Sequence, residues 1–316
     1  MTTVWLPSLP GPANPLPADV KADIWAGGED VPGSAADVEL VVVPSGVPTE
    51  LLRRILHALP RLKVVQLVSA GADHVLPAVP SGVTLCNARG AHTAATAEWA
   101  VGAIVAALRQ FPRFALAQRD GRWDAAYSDS VAGQHVLIVG YGSIGEAVER
   151  RLAGWEVTID RVARTARPAS PGSREAPATP PVHGLDRLPA LLPAADVVVM
   201  LVPVVAETRN MVDAAFLAAM RDGALLVNAA RGAIVDTGAL LAELTTGRLR
   251  AALDVTDPEP LPLGHPLWSA PGLFLTPHVG GAVREARDRA YEVVIPQIAR
   301  FAAGQPLLNV IGPRGY

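Results

Sequence analysis

The sequence predicts an α/β protein, a doubly wound parallel sheet with a second, smaller α/β domain, and three observations predict it. From about residue 135 onward, short apolar runs alternate with helix-like segments. Those runs are continuous rather than alternately apolar and polar, the pattern of parallel strands covered on both faces. At 316 residues, half of them hydrophobic, the chain can bury a sizeable core in each of two domains of ordinary size.

Taken in order, ADIWAG, VELVVVP (38–44), the helix TELLRRILHAL, LKVVQLVSAG (62–71) and VTLCNA (83–88) read as the smaller domain. A helix near 93–109, AATAEWAVGAIVAALRQ, leads out of it. Its many Ala and Gly residues either let another helix approach closely, at a domain or subunit contact, or simply reflect an alanine-rich composition. Next come the strand HVLIVG (135–140), the helix GSIGEAVERRLAG, the β-rich EVTIDRVAR and the strand DVVVMLVP (196–203). GALLVNAA (223–230) follows, then a helix, TGALLAELTTGR, that Asp236 or Thr237 can cap and Gly247 can end. LRAALDVT (249–256) and GLFLTPH (272–278) complete six strands in two sets of three, with the topological switch in the middle. The last long helix, about 283–303, carries the chain back, so the expected domains are 1–91 plus 284–316, and 92–283. Between the second and third strands, PASPGSREAPATPP (168–181) reads as a surface loop.

Composition removes several classes of function. The longest strongly apolar run, VVVMLVPVV at 197–205, is far short of the ~18 residues that cross a bilayer. A net charge of −3 leaves no electrostatic footprint for nucleic acid. The start, MTTVWLPSLPGPANPLP, lacks the pattern of a signal peptide, so a cytoplasmic protein is expected. The single cysteine, Cys86, rules out an intrachain disulfide and reads as a buried small hydrophobe rather than a nucleophile. No Cys or His cluster has metal-ligand spacing, and no metal site is expected.

The chemistry begins at GYGSIG: Gly140, Tyr141, Gly142, Ser143, Ile144 and Gly145 follow a strand and open a helix. In that context the pattern is a dinucleotide fingerprint, with Gly140 for the tight turn, Gly142 for close approach of the pyrophosphate and Gly145 for helix against strand. The next strand ends in RVARTAR, where an acid normally accepts from the adenosine ribose and selects NAD. Counted from the glycines, the end falls near Ala163, and Arg164 supplies a guanidinium suited to a 2′-phosphate, which favours NADP(H). The competing register makes Asp160 the ribose acid and NAD(H) the cofactor.

Three residues leave three successive strand ends: Arg231 in NAARGAIVD, Glu259 in LDVTDPEP and His278 in LTPHVGG. Neighbouring parallel strands lie about 4.8 Å apart, so such groups can meet over one small molecule. Arg231 suits the carboxylate of a 2-oxo acid, His278 the proton transfer, and Glu259 the orientation of the imidazole. Asp254 reads either as an acceptor for the nicotinamide carboxamide or as a structural turn acid.

VGYGSIG, LVPVVAETRNMVD, LLVNAARGAIVD, ALDVTDPEPLPLGHPLW and LTPHVGG together resemble the D-isomer-specific 2-hydroxyacid dehydrogenases over nearly the whole chain. The resemblance implies a Rossmann cofactor domain (92–283), a flavodoxin-like substrate domain (1–91 plus 284–316) and the catalytic trio Arg231, Glu259 and His278. It implies cofactor contacts at Val202, Pro203, Thr208, Asp254 and Gly280, and a substrate loop, VSAGADHV, with Ala70 and Gly71. It further implies a homodimer and, given the arginines at the ribose position, likeness to NADPH-preferring glyoxylate and hydroxypyruvate reductases. Formate dehydrogenases, expected to pair the histidine with a glutamine, and non-catalytic corepressors that sense the cofactor are the alternatives. Trp123 and Trp268 either line the substrate pocket or belong to the core.

Overall fold

The computed structural model describes residues 1–170 and 179–312. Its strands are β1 (Thr2–Leu6), β2 (Val20–Ile24), β3 (Leu40–Val43), β4 (Val64–Leu67), β5 (Thr84–Cys86) and β6 (His135–Val139). They continue with β7 (Thr158–Val162), β8 (Val197–Met200), β9 (Leu225–Asn228), β10 (Arg250–Leu253), β11 (Leu273–Leu275) and β12 (Val310–Ile311). The helices are α1 (Thr49–His57), α2 (Thr93–Leu108), α3 (Phe111–Arg119), α4 (Ser143–Leu152), α5 (Leu188–Leu191), α6 (Ala214–Ala219), α7 (Thr237–Thr246) and α8 (Ala286–Ala302). The chain forms two compact units, Met1–Thr93 with Val283–Tyr316, and Ala94–Ala282.

The first unit holds a sheet of order β12-β5-β4-β3-β1-β2, parallel except for β12. Alternate residues of its central strands go to opposite faces. Trp5, Val41 and Val43 pack with Leu52, Ile55 and Leu56 of α1, while Val4, Leu6, Leu40 and Val42 pack with Tyr291, Val294 and Ile298 of α8. With both faces covered, a strand has no solvent side and its sequence loses the two-residue alternation. β1 is an interior strand of this sheet, between β3 and the edge strand β2. Cys86 is buried among these residues, and burial pushes its thiol up to about 11, as befits a packing residue.

In the second unit the order is β11-β10-β9-β8-β6-β7, all parallel. Leu137 and Val139 face one core, Val136 and Ile138 the other. The small residues of α2, Ala97, Ala100 and Ala103, pack into that second core beside Val148 and Val199. Asp236 caps α7 by accepting from the Ala239 N–H at 2.9 Å, and Gly247 ends it at φ 71°.

The strand order departs from two sets of three. β8 pairs with β6, on the side away from β7, so the switch falls after the second strand and four strands follow it. The place outside β7 is taken by a fragment, where His183 makes a single parallel bridge to Val162. Chain rich in proline, with no N–H to give at Pro168, Pro180 and Pro181, cannot extend that fragment into a ladder. The loop expected at 168–181 lies largely outside the described residues; its flanks pair at Ser170–Thr179 and Arg167–Val182.

Candidate active site

The three glycines of the turn after β6 are required for three different reasons. Gly140 has φ 105°, and a Cβ there would stand 2.5 Å from the Leu201 carbonyl carbon at the end of β8. Gly145 would meet the Gly140 oxygen at 3.1 Å and Ile138 Cγ2 at 3.2 Å, so it sets how closely α4 approaches β6. Gly142 would meet nothing within 4 Å, so no protein atom explains its lack of a side chain. What it leaves open is the approach to the N-terminus of α4, where backbone N–H groups and the helix dipole favour a phosphate. The residues therefore fit a dinucleotide, which Gly140 to Gly145 would hold.

At the second strand, Val139 pairs with Val162, and the Gly140 and Tyr141 N–H groups donate to the Val162 carbonyl at 2.8 and 2.9 Å. The strand thus ends at Val162, followed by Ala163 and Arg164. Asp160 lies inside it, opposite Leu137, with Oδ2 2.8 Å from His135 Nε2. The three arginines of RVARTAR separate accordingly. Arg161 is half-buried and paired with Glu149, Arg164 stands exposed just past the strand end, and Arg167 donates to the Tyr141 carbonyl at 2.7 Å.

In the second half of the sheet, β9, β10 and β11 are neighbours, and each is followed by one of the three expected residues. His278 Nδ1 is hydrogen-bonded directly to Glu259 Oε1, with both side chains half-exposed. His278 has φ 56°, a left-handed conformation that is sparsely populated outside glycine but more tolerated by His than by most residues. Arg231 sits at the start of a short turn after β9, partly buried, with Nη1 donating to the Ala230 carbonyl at 2.7 Å.

Asp254 shows why these loops stand where they do. Its buried carboxylate accepts from the Thr276 hydroxyl at 2.6 Å, the Val279 N–H at 2.8 Å and the Gly280 N–H at 2.7 Å, while its carbonyl accepts from the His278 N–H at 2.7 Å. A carboxylate offers about four acceptor positions. Three are engaged in bracing the His278 loop, the structural task open to a turn acid at this position. Gly280 must be small, since a Cβ there would lie 2.8 Å from Asp254 Oδ2.

Sequence reasoning missed two supports of the Arg231 turn. Asn228, fully buried at the end of β9, accepts from the Ala230 N–H at 3.0 Å and donates to the Arg231 carbonyl at 2.9 Å. Gly232 packs so tightly that a Cβ would stand 1.9 Å from the Thr256 carbonyl oxygen, which draws the loops after β9 and β10 together. The only signal was the Asn-Ala-Ala-Arg-Gly spelling itself. Thr208 ties the loop after β8 to itself, donating to the Pro203 carbonyl at 2.6 Å and accepting from the Val205 N–H at 2.9 Å. Val202 and Pro203 begin that loop, beside Gly140. Ala70 and Gly71 belong to the first unit, where Asn87 Nδ2 donates to the Ala70 carbonyl at 2.7 Å. Trp123 and Trp268 are not core residues: both are exposed.

A parallel sheet with a phosphate-accepting turn at its switch and a histidine–carboxylate pair at neighbouring strand ends defines a nucleotide-dependent dehydrogenase. Residues 101–280 match the model of the D-isomer specific 2-hydroxyacid dehydrogenase NAD binding domain. The chain is 33% identical over 260 residues to the glyoxylate reductase of Thermofilum pendens, covering 79% of this chain and 75% of the relative. It is 30% identical to the D-3-phosphoglycerate dehydrogenase of Methanocaldococcus jannaschii over 87% of its own length but 52% of that protein's, so it spans about half of such relatives. A D-isomer specific 2-hydroxyacid dehydrogenase from Xanthobacter autotrophicus Py2, in complex with NADPH and MES, superposes with TM-score 0.78 at 28% identity, covering 99% of this chain and 98% of the other. The NADPH-dependent glyoxylate/hydroxypyruvate reductase of Sinorhizobium meliloti, in complex with NADP and malonate, gives 0.79 at 26% identity, covering 100% and 98%. The chain belongs to the D-isomer-specific 2-hydroxyacid dehydrogenase family, NAD(P)-dependent oxidoreductases acting on the CH–OH group of donors.

Proposed function

We propose that the protein reduces a small 2-oxo acid of the glyoxylate or hydroxypyruvate type to the D-2-hydroxy acid, with NADPH preferred over NADH. The observation that carries the reading is the direct bond between His278 and Glu259 at the strand ends beside Arg231's turn. When bound, the nicotinamide supplies the hydride. The chain's own residues manage charge and proton. With Nδ1–H of His278 donating to Glu259, the tautomer and ring orientation are set, and Nε2 is left to deliver a proton to the substrate oxygen. Arg231 binds the substrate carboxylate through its guanidinium fork.

The cofactor preference is supported by the end of β7, where Ala163 and Arg164 stand in place of an acid. Glu259, a carboxylate rather than a glutamine, weighs against a formate-type enzyme. We also infer a homodimer. Between α3 and β6, Trp123 and Tyr127 are 98% and 102% exposed, while Arg113 grips Asp124 with two bonds of 2.9 Å and Gln110 donates to the Tyr127 carbonyl. Two aromatic side chains held out by a pinned backbone suit burial against a second copy.

The test is a panel of glyoxylate, hydroxypyruvate and phenylpyruvate with NADPH and with NADH. Turnover of the two smaller acids with higher kcat/KM for NADPH is expected. Tight cofactor binding without turnover of any 2-oxo acid would point instead to a cofactor sensor.

A further inference from the structure

We propose that Arg167, seated on Tyr141, is a second residue that selects the 2′-phosphate of the cofactor, with Tyr141, Glu149 and Arg161 as the residues that position it. The inference rests on the NADP reading above. It begins from a difference between two arginines six residues apart. Arg161 has its own carboxylate, Glu149, bonded through two nitrogens, and has no charge to spare for a ligand. Among the described residues no carboxylate pairs with Arg167, which is exposed.

Arg167 is nonetheless fixed. Its backbone exchanges two hydrogen bonds with Val182, at 2.8 and 2.9 Å. Its guanidinium carbon lies 5.5 Å from the centroid of the Tyr141 ring, and one Nη donates to the Tyr141 carbonyl. Tyr141 stands between Gly140 and Gly142, and its N–H is bonded to the last residue of β7. The arginine is thereby held against the glycine turn, next to the strand end where the ribose is expected. A guanidinium has five N–H donors, so the bond to Tyr141 leaves others for an anion.

The ring beneath it is itself locked. The Tyr141 hydroxyl donates to Glu149 at 2.6 Å, and Arg161 lies 5.8 Å from the same ring while bonded to the same carboxylate. Burial, with Glu149 beside it, pushes the Tyr141 phenol up to about 12, so it stays a neutral donor. An arginine already stacked and oriented loses less freedom on gripping a phosphate than one moving freely.

Isothermal titration of the whole protein with 2′,5′-ADP and with 5′-AMP tests this without turnover. Wild-type protein is expected to bind 2′,5′-ADP more tightly. If it does not, the NADP reading fails, and Arg167 has no phosphate to select. Where wild type does discriminate, Arg167→Gln is expected to cut the preference on the order of tenfold while leaving 5′-AMP affinity and Tm unchanged. An unchanged ratio in Arg167→Gln would overturn the proposal while the NADP reading stands. Tyr141→Phe, which keeps the ring, should retain most of the preference, and Tyr141→Leu should lose part of it. Equal behaviour of those two variants would remove Tyr141 as the platform.

Discussion

His278 and Glu259, 19 residues apart and on the ends of neighbouring strands, are bonded side chain to side chain. The bond is supported from below. Asp254 holds the His278 N–H through its carbonyl and the Val279 and Gly280 N–H groups through its carboxylate, and His278 has a left-handed backbone. If the pair moves the proton, His278→Ala should lower kcat with 2-oxo acids by about 10²–10⁴-fold, with cofactor affinity nearly intact. Glu259→Gln should lose less, because a neutral acceptor still orients the ring. Stopped-flow turnover and cofactor fluorescence titration separate the two quantities.

Arg164 follows the end of β7, where the ribose of a bound cofactor is expected. Arg164→Glu should raise KM for NADPH far more than KM for NADH, since a carboxylate repels the 2′-phosphate and accepts from ribose hydroxyls. Equal changes for the two cofactors would remove Arg164 from the selection.

Two glycines should fail in opposite ways. Gly142→Ala adds a methyl where the protein leaves space, so Tm should hold while the cofactor Kd rises on the order of tenfold. Gly232→Ala drives a methyl into the Thr256 carbonyl and should cost about 1–3 kcal/mol of stability, seen as a Tm lowered by several degrees.

The Glu149–Arg161 pair should make stability depend on acid. Burial pushes the Glu149 carboxyl up, but bonds from Arg161 and Tyr141 pull it down further, and the net shift is downward. A carboxyl lowered in the folded state contributes stability that is present above its unfolded value and lost as pH falls through the folded one. Wild type should therefore exceed Glu149→Gln in Tm near neutrality, with the gap closing below the ordinary carboxylate range. A constant gap from pH 7 to pH 3 would contradict the assignment.

If Trp123 and Tyr127 bury against a second copy, the double substitution Trp123→Asp with Tyr127→Asp should shift the mass measured by light scattering from dimer to monomer. Monomeric wild-type protein at micromolar concentration would exclude the dimer.

Much of this was legible in the sequence. The inner strands β6, β8 and β9 of the second unit are buried on both faces and so announce themselves as apolar runs, and the glycine turn lies where the first of them meets a helix. Arg231, Glu259 and His278 were readable because each follows its own strand. Other features depend on contacts between distant segments. β1 is five residues near the chain start, followed by prolines, and only its pairing with β2 and β3 reveals an interior strand. Neither the side of β6 on which β8 settles nor the separate fates of Arg161, Arg164 and Arg167 follow from spacing, because strand register decides them. Gly232 and Asn228 matter through carbonyls and amides that only the folded chain brings near.

The margin of the second sheet beyond β7 bears on how the protein meets its neighbours. An open strand edge is a template on which another chain can add itself, the first step of aggregation. Here, among the described residues, His183 bridges to β7, and it is preceded by Pro180 and Pro181, which have no N–H to offer an incoming strand. Those two prolines disfavour the lateral growth of the sheet at that margin.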